Sequence, residues 1–350
     1  MEFKIGNVKV SNERTTVIAE AGVNHLGRDD YAMKLVDAAV SAGVDIIKFQ
    51  TYKAEKLTTR NAPRFWSWEG EVKQEGSQFD SYSELDKFGK SQYRELASYC
   101  RSKLIEFMST PFDIESVDLL LELGVNAFKI ASCDITNNPL LKYVARSRKP
   151  VLLSTGASTV DEIHSAVNLL SENGVENLCI MHCTLCYPTK ICDANLSALN
   201  HLKNEFPEVI LGLSDHTLEP ETPSYAVMLG ARVIEKHFTF DKSLPLSADH
   251  WLSVDELGMK DLIKRVRDAE LMYGIEKKVV LDCEILAKEN ARRSIVAKYD
   301  LEAGQVLSES DLEFKRPGNG ISPSDLEKVL GKRLTTSIKL DEEIKWEFLD

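Results

Sequence analysis

The chain predicts an α/β fold: a (β/α)8 TIM barrel followed by a small separate domain. Three observations carry this. Eight short apolar runs alternate with segments whose apolar residues recur every three or four positions. A glycine closes several of those segments just ahead of the next run, as at a helix carboxyl end. The eighth unit ends near residue 272, the length of such a barrel, and the texture then changes to short strands and turns.

The runs are 16–20 (TVIAE), 45–50 (DIIKFQ), 104–110 (LIEFMST), 127–132 (AFKIAS), 150–155 (PVLLST), 178–184 (LCIMHCT), 209–214 (VILGLS) and 232–237 (RVIEKH). Helical spacing is clearest at 31–42, 93–103 and 160–173, and Gly43, Gly124, Gly174 and Gly230 supply the stops. A doubly wound open sheet is the alternative, but even spacing of eight units favours closure. Residues 54–90 are too long for a plain helix and carry Phe65, Trp66, Trp68, Phe79, Tyr82 and Phe88. They read as an excursion packed on the barrel rim, with the tryptophans as packing and Gln78 as a substrate contact. A helix at 254–273 completes a barrel domain of residues 1–275. Residues 276–290 form a linker, and 291–350 a second domain with a core thin enough to need another surface.

Composition narrows the function. Hydrophobic content of 43% and charged content of 28% are those of a soluble globular protein. A net charge of −12, without a Lys/Arg cluster, argues against nucleic acid or an anionic membrane as partner. The seven cysteines fall mostly inside apolar runs, which suits a reducing cytosol better than a disulfide framework. Residues 1–10 hold no signal-like apolar stretch and no run approaches a membrane span, so a cytoplasmic location is expected. No Walker motif, G-x-G-x-x-G or nucleophile elbow occurs.

In a barrel, polar residues at strand carboxyl ends read as functional, because packing does not demand them there. His216 and His237 follow strands seven and eight. Neighbouring strands lie about 4.8 Å apart, so both imidazoles can reach one ion. Asp215 and Asp249 make the surroundings oxygen-rich, suiting Mn²⁺, Mg²⁺ or Zn²⁺. The alternative is that each histidine caps its own strand. Lys48 and Lys129 sit inside strands, near the hydroxyls of Thr110, Ser132 and Ser214. Together they would form a dry pocket for phosphate or carboxylate. Otherwise each lysine pairs with a strand-end carboxylate, Glu20 or Asp134. Glu235 and Lys236 also stand at the end of strand eight, without an assigned role. Cys183 and Cys186 form a C-x-x-C, but strand alternation sends them to opposite faces and both read as ordinary buried thiols.

These stretches carry a family resemblance. IAEAGVNH (18–25), KFQT (48–51), STPF (109–112), GLSDHT (212–217), EKHF (235–238) and RPGNG (316–320) resemble the sialic acid, or nonulosonic acid, synthases over essentially the whole chain. The resemblance implies condensation of phosphoenolpyruvate with the open-chain aldehyde of an N-acetylmannosamine-type sugar, giving a nine-carbon 2-keto-3-deoxy acid and phosphate. It implies a divalent ion on His216 and His237, Mn²⁺ first with Mg²⁺ or Co²⁺ as alternatives. Lys48, Thr110, Lys129, Ser132 and Ser214 would hold phosphoenolpyruvate. Glu20 and Asp249 would act at the sugar hydroxyls, one of them moving protons. Gln50, Gln78, Asp134 and Tyr187 would line the sugar pocket. The small domain resembles the family's antifreeze-like (SAF) domain, which implies a domain-swapped homodimer in which Arg316 meets the sugar's acyl group. Two departures leave the sugar open: Asp134 stands where the bacterial N-acetylmannosamine enzymes often have Glu, and Leu185 where they have a polar residue. The rival readings are another phosphoenolpyruvate–aldehyde synthase and a non-catalytic sugar-binding protein.

Overall fold

Two short strands open the chain, β1 (Glu2–Ile5) and β2 (Val8–Ser11), paired antiparallel and turned at Gly6, whose φ is +57°. Eight parallel strands follow: β3 (Thr16–Gly22), β4 (Ile46–Thr51), β5 (Glu106–Pro111), β6 (Phe128–Ile130), β7 (Val151–Ser154), β8 (Leu178–Cys183), β9 (Ile210–Asp215) and β10 (Val233–His237). The computed structural model describes residues 1–66, 76–244 and 249–350. The chain divides into two units, Met1–Gly274 and Ile275–Asp350.

The strands run in the order β5-β4-β3-β10-β9-β8-β7-β6, with β5 and β6 packed side by side to close the barrel. First and last strands are neighbours, Thr16 opposite Val233 and Glu20 opposite His237. Between them lie α1 (Asp29–Ala42), α2 (Ala54–Leu57), α3 (Gln78–Leu85), α4 (Lys90–Ser102), α5 (Ile114–Leu123), α6 (Asn138–Ala145), α7 (Val160–Glu172), α8 (Ala198–Glu205) and α9 (Thr222–Met228). Helix α10 (Glu256–Tyr273) ends the unit. Local chemistry sets several boundaries. Thr159 and Glu162 form a capping box at the start of α7, and Gly43 and Gly124 end α1 and α5 in the left-handed region.

Strand periodicity splits the barrel interior into two levels. Ile18, Ile46, Met108, Leu152, Cys179, Met181, Ile210 and Val233 pack together at the amino-terminal level. The hairpin adds Ile5 and Val10 to that cluster and so plugs this end. Two or four residues further on, the same inward phase delivers Glu20, Lys48, Thr110, Ser154, Cys183, Ser214, Glu235 and His237. A separate apolar layer fills the space between strands and helices.

The hairpin was not expected from the sequence, because two four-residue strands give too short a pattern. Within 54–90, Phe88 is buried beneath His25 (rings 3.9 Å apart), while Phe65 is 70% exposed. Trp68 lies outside the described residues. Of the two thiols expected to be buried, Cys183 is and Cys186 is not. Cys133, Cys186, Cys192 and Cys283 are exposed, leaving Cys100, Cys179 and Cys183 buried. Cys186 escapes burial because β8 ends at Cys183 and the chain turns away.

The second unit holds α11 (Ile285–Ala291), an antiparallel pair of β11 (Ser294–Ala297) with β12 (Leu312–Lys315), and α12 (Leu326–Val329). Its small core is built from Ile295, Leu301, Leu307, Ile321, Leu334, Ile338 and Ile344. Among the described residues, no helix is long and apolar enough to cross a membrane.

Candidate active site

The inward residues above the apolar plug open into a cavity of about 1320 Å³ at the carboxyl ends of the strands. Its floor is a buried charge network. Lys48 Nζ lies 2.5 Å from Glu20 Oε2 and donates to Thr110 Oγ1 at 3.1 Å. Lys129 Nζ donates to Glu235 Oε1 at 2.9 Å, and Ser214 Oγ donates to the same oxygen at 3.0 Å. Glu235 Oε2 is 3.7 Å from Lys48, which links the two pairs. All four charged groups are no more than 4% exposed, so each depends on the others for its charge. Burial would raise Glu235, yet Lys129 and Lys48 hold its carboxyl down at about 2. Glu20 has the opposite balance: burial wins over Lys48 and holds it above the ordinary carboxylate range.

The lysine pairing departs from expectation at one point. Lys48 does meet Glu20, but Lys129 meets Glu235 rather than Asp134. Asp134 instead accepts from Asn137 Nδ2 at 2.9 Å and stays at the cavity wall. Glu235, which the sequence left without a role, is therefore the centre of the floor. Its signal was its inward phase in the run VIEKH, shared with His237. Its neighbour Lys236 points the other way and is fixed by Asp215 Oδ2 at 2.6 Å and by the Thr217 carbonyl.

Above the floor, the imidazoles of His216 and His237 face each other with ring centroids 5.3 Å apart. Tyr187 packs on both, 4.1 Å from the first and edge-on at 5.9 Å from the second. His216 Nδ1 lies 2.9 Å from the Thr184 carbonyl, to which it donates, leaving the lone pair on Nε2. Cys183 Sγ is 3.8 Å from the same nitrogen. His237 Nδ1 is buried without a hydrogen-bond partner among the described residues, 3.9 Å from an Asp249 oxygen. Burial, with His216 beside it, holds His237 well below its ordinary range and hence neutral at pH 7. Burial and Glu20 push Asp249 up to about 6. Burial opposes charge on His216, but Cys183 beside it raises its pKa; once that ring gives up its proton, the two imidazoles with a carboxylate close by suit a divalent ion that keeps open positions. Among the described residues, no three His, Cys, Asp or Glu side chains form a ready-made cage.

The remaining expected contacts distribute unevenly. Gln50 lines the cavity and donates to Glu20 Oε1 at 3.0 Å. Ser132 Oγ faces the cavity and accepts from Gly156 N at 2.9 Å, where a Cβ on Gly156 would collide with it. Gln78, at the start of α3, is on the wall but donates its side-chain amide to the Pro63 carbonyl at 2.8 Å. Trp66 also reaches the wall while packing on Tyr82, so it combines packing with a cavity face. His25 turns away: it accepts from Gly27 N at 3.0 Å and stacks on Phe88. Arg316 belongs to the second unit.

A (β/α)8 scaffold with a lysine floor, buried carboxylates and paired imidazoles at its strand ends defines a barrel enzyme acting on a small anion. Comparison with known proteins makes the assignment specific. The NeuB family model matches residues 35–278 and the SAF domain model residues 292–350. The N,N'-diacetyllegionaminic acid synthase of Legionella pneumophila is 38% identical, over 99% of this chain and 98% of that one. The synthase of the same name from Campylobacter jejuni is 40% identical, over 95% and 99%. Among solved structures, the N-acetylneuraminic acid synthetase of Leptospira borgpetersenii superposes with a TM-score of 0.73 at 34% identity, covering 82% of this chain and 95% of that one. The chain belongs to the NeuB family: it is a nonulosonic acid synthase, a phosphoenolpyruvate-dependent transferase that forms a carbon–carbon bond.

Proposed function

We propose that the barrel condenses phosphoenolpyruvate with open-chain 2,4-diacetamido-2,4,6-trideoxymannose and water, giving N,N'-diacetyllegionaminic acid and phosphate. The observation that carries this is the pairing of a two-lysine floor with two facing imidazoles in one cavity. The choice of sugar is supported by two relatives of that printed activity at 38% and 40% identity. Leu57, Trp66, Phe112 and Leu185 on the cavity wall suit the methyl group of a 6-deoxy sugar.

In this reading Lys48 and Lys129 bind the phosphate and carboxylate, helped by the hydroxyls of Thr110, Ser132 and Ser214. Glu20, fixed by Gln50 and Lys48, holds sugar hydroxyls. Asp249, with a pKa of about 6, exchanges protons near neutral pH and so is the better proton carrier. Tyr187 holds the imidazole pair in place, while Gln50, Gln78 and Asp134 line the sugar's path. A divalent ion on His216 and His237, Mn²⁺ with Mg²⁺ or Co²⁺ as alternatives, would supply Lewis-acid polarisation of the aldehyde. We take the active form to be a cytoplasmic, domain-swapped homodimer in which Arg316 reaches the acyl group; sedimentation at a single chain mass would overturn that part. The site itself is tested by His237→Ala. The expected result is a folded protein by circular dichroism, phosphate release lost, and no rescue by Mn²⁺. Wild-type protein should lose turnover in chelator and regain it with the ion. Turnover retained by the variant would contradict the assignment of His237.

A further inference from the structure

Glu235 leaves β10 for the barrel interior and is 4% exposed. One of its oxygens accepts from Lys129 on β6 and Ser214 on β9; the other faces Lys48 on β4 at 3.7 Å. A single side chain thus connects four of the eight barrel strands at the level of the floor. Lys48 has Glu20 as a second carboxylate partner. Lys129 is paired with no carboxylate but Glu235 among the described residues. A long ammonium side chain has many rotamers, and one without a partner in a buried site does not stay in a single position. A hydroxyl has the same freedom about its own bond.

A buried carboxylate beside two lysines has contrary effects on an arriving anion. It repels the anion, and it fixes the donors that the anion needs. The hydrogen-bond geometry distinguishes these effects, since one oxygen at ordinary distance from both a lysine and a serine does more than balance charge. We infer that Glu235 is a positioning residue for phosphoenolpyruvate: it sets the spacing of Lys48, Lys129 and the Ser214 hydroxyl without itself touching the substrate. The inference rests on the phosphoenolpyruvate reading above.

Glu235→Asp separates position from charge, because it keeps the anion but withdraws it by about 1.5 Å. Phosphoenolpyruvate binding to full-length protein is measured by calorimetry, and steady-state KM is measured for both substrates. In Glu235→Asp the expected result is at least tenfold weaker phosphoenolpyruvate binding and a matching rise in its KM. The sugar KM should stay within twofold and the melting temperature near wild type. A merely structural ion pair would not split the two KM values in this way. Unchanged phosphoenolpyruvate affinity in folded Glu235→Asp would overturn the inference. If that variant does not fold, Glu235→Gln decides. Its amide oxygen can still accept from Lys129 and Ser214, but its NH2 opposes Lys48, so weaker binding is expected. Tighter binding would show a competing counter-charge and overturn the inference. Wild-type protein that binds no phosphoenolpyruvate would remove the underlying reading, an outcome distinct from equal affinities.

Discussion

His25 shows how a residue inside a recognisable motif can serve the fold. It lies in the stretch AGVNHLG, yet its ring is 1% exposed, stacks on Phe88 and takes a hydrogen bond from Gly27. Burial pushes its pKa down to about 3, against about 6.5 in an unfolded chain. The folded protein therefore keeps this imidazole neutral while the unfolded chain takes up a proton. Its contribution is intact above pH 6.5 and is lost as the pH falls from there towards 3, at up to about 1.4 kcal/mol per pH unit. Urea unfolding of wild type and His25→Asn at pH 7 and pH 5.5 checks this. Asn can still accept from Gly27, so the variant should show a shallower loss of stability between the two pH values. Equal slopes would contradict the account. The site carboxylates show the same dependence on surroundings, since Glu20 and Glu235 share Lys48 but shift in opposite directions. Sequence named both positions. It could not give their opposite shifts, because the difference comes from Lys129 on a strand 106 residues away from Glu235.

At the scale of elements, β9 and β10 decide the geometry of the imidazole pair, and Gly212 decides how closely they approach. A Cβ there would lie 2.7 Å from the Val233 carbonyl oxygen and 3.0 Å from the Val233 Cβ. Neither is a flexible side-chain end, so a strand would have to shift. Gly212→Ala is expected to cost about 1–3 kcal/mol of stability. It should also lower turnover, because the shift would carry to His216 and His237 at the ends of these strands. A urea midpoint and a phosphate-release rate both unchanged would contradict this. Much of this level was legible beforehand. Short apolar runs alternating with helical segments located all eight barrel strands within a few residues, and glycines marked the ends of α1 and α5. The hairpin was not legible, since four-residue strands acquire meaning only from the barrel end that they plug. Nor was the exposure of Cys186, which depends on where β8 stops.

The whole molecule combines a (β/α)8 unit that holds the cavity with a second unit carrying Arg316. In the proposed reading, the floor and the imidazoles would let a chain of net charge −12 receive a multiply charged anion, because the cations of the floor are few, buried and held in place. Motifs identified the family from sequence alone, whereas the sugar was beyond them, because the cavity wall that would meet its substituents is built from many loops. The most direct test is phosphate release with Mn²⁺, phosphoenolpyruvate and three separate sugars, with mass spectrometry of the product. The sugars are N-acetylmannosamine, its 6-phosphate and 2,4-diacetamido-2,4,6-trideoxymannose. The account expects turnover chiefly with the diacetamido sugar and a nine-carbon 2-keto acid bearing two acetamido groups. Turnover with N-acetylmannosamine or its phosphate instead would contradict the sugar assignment, and no phosphate release with any of the three, in protein shown to bind the ion, would contradict the proposed reaction.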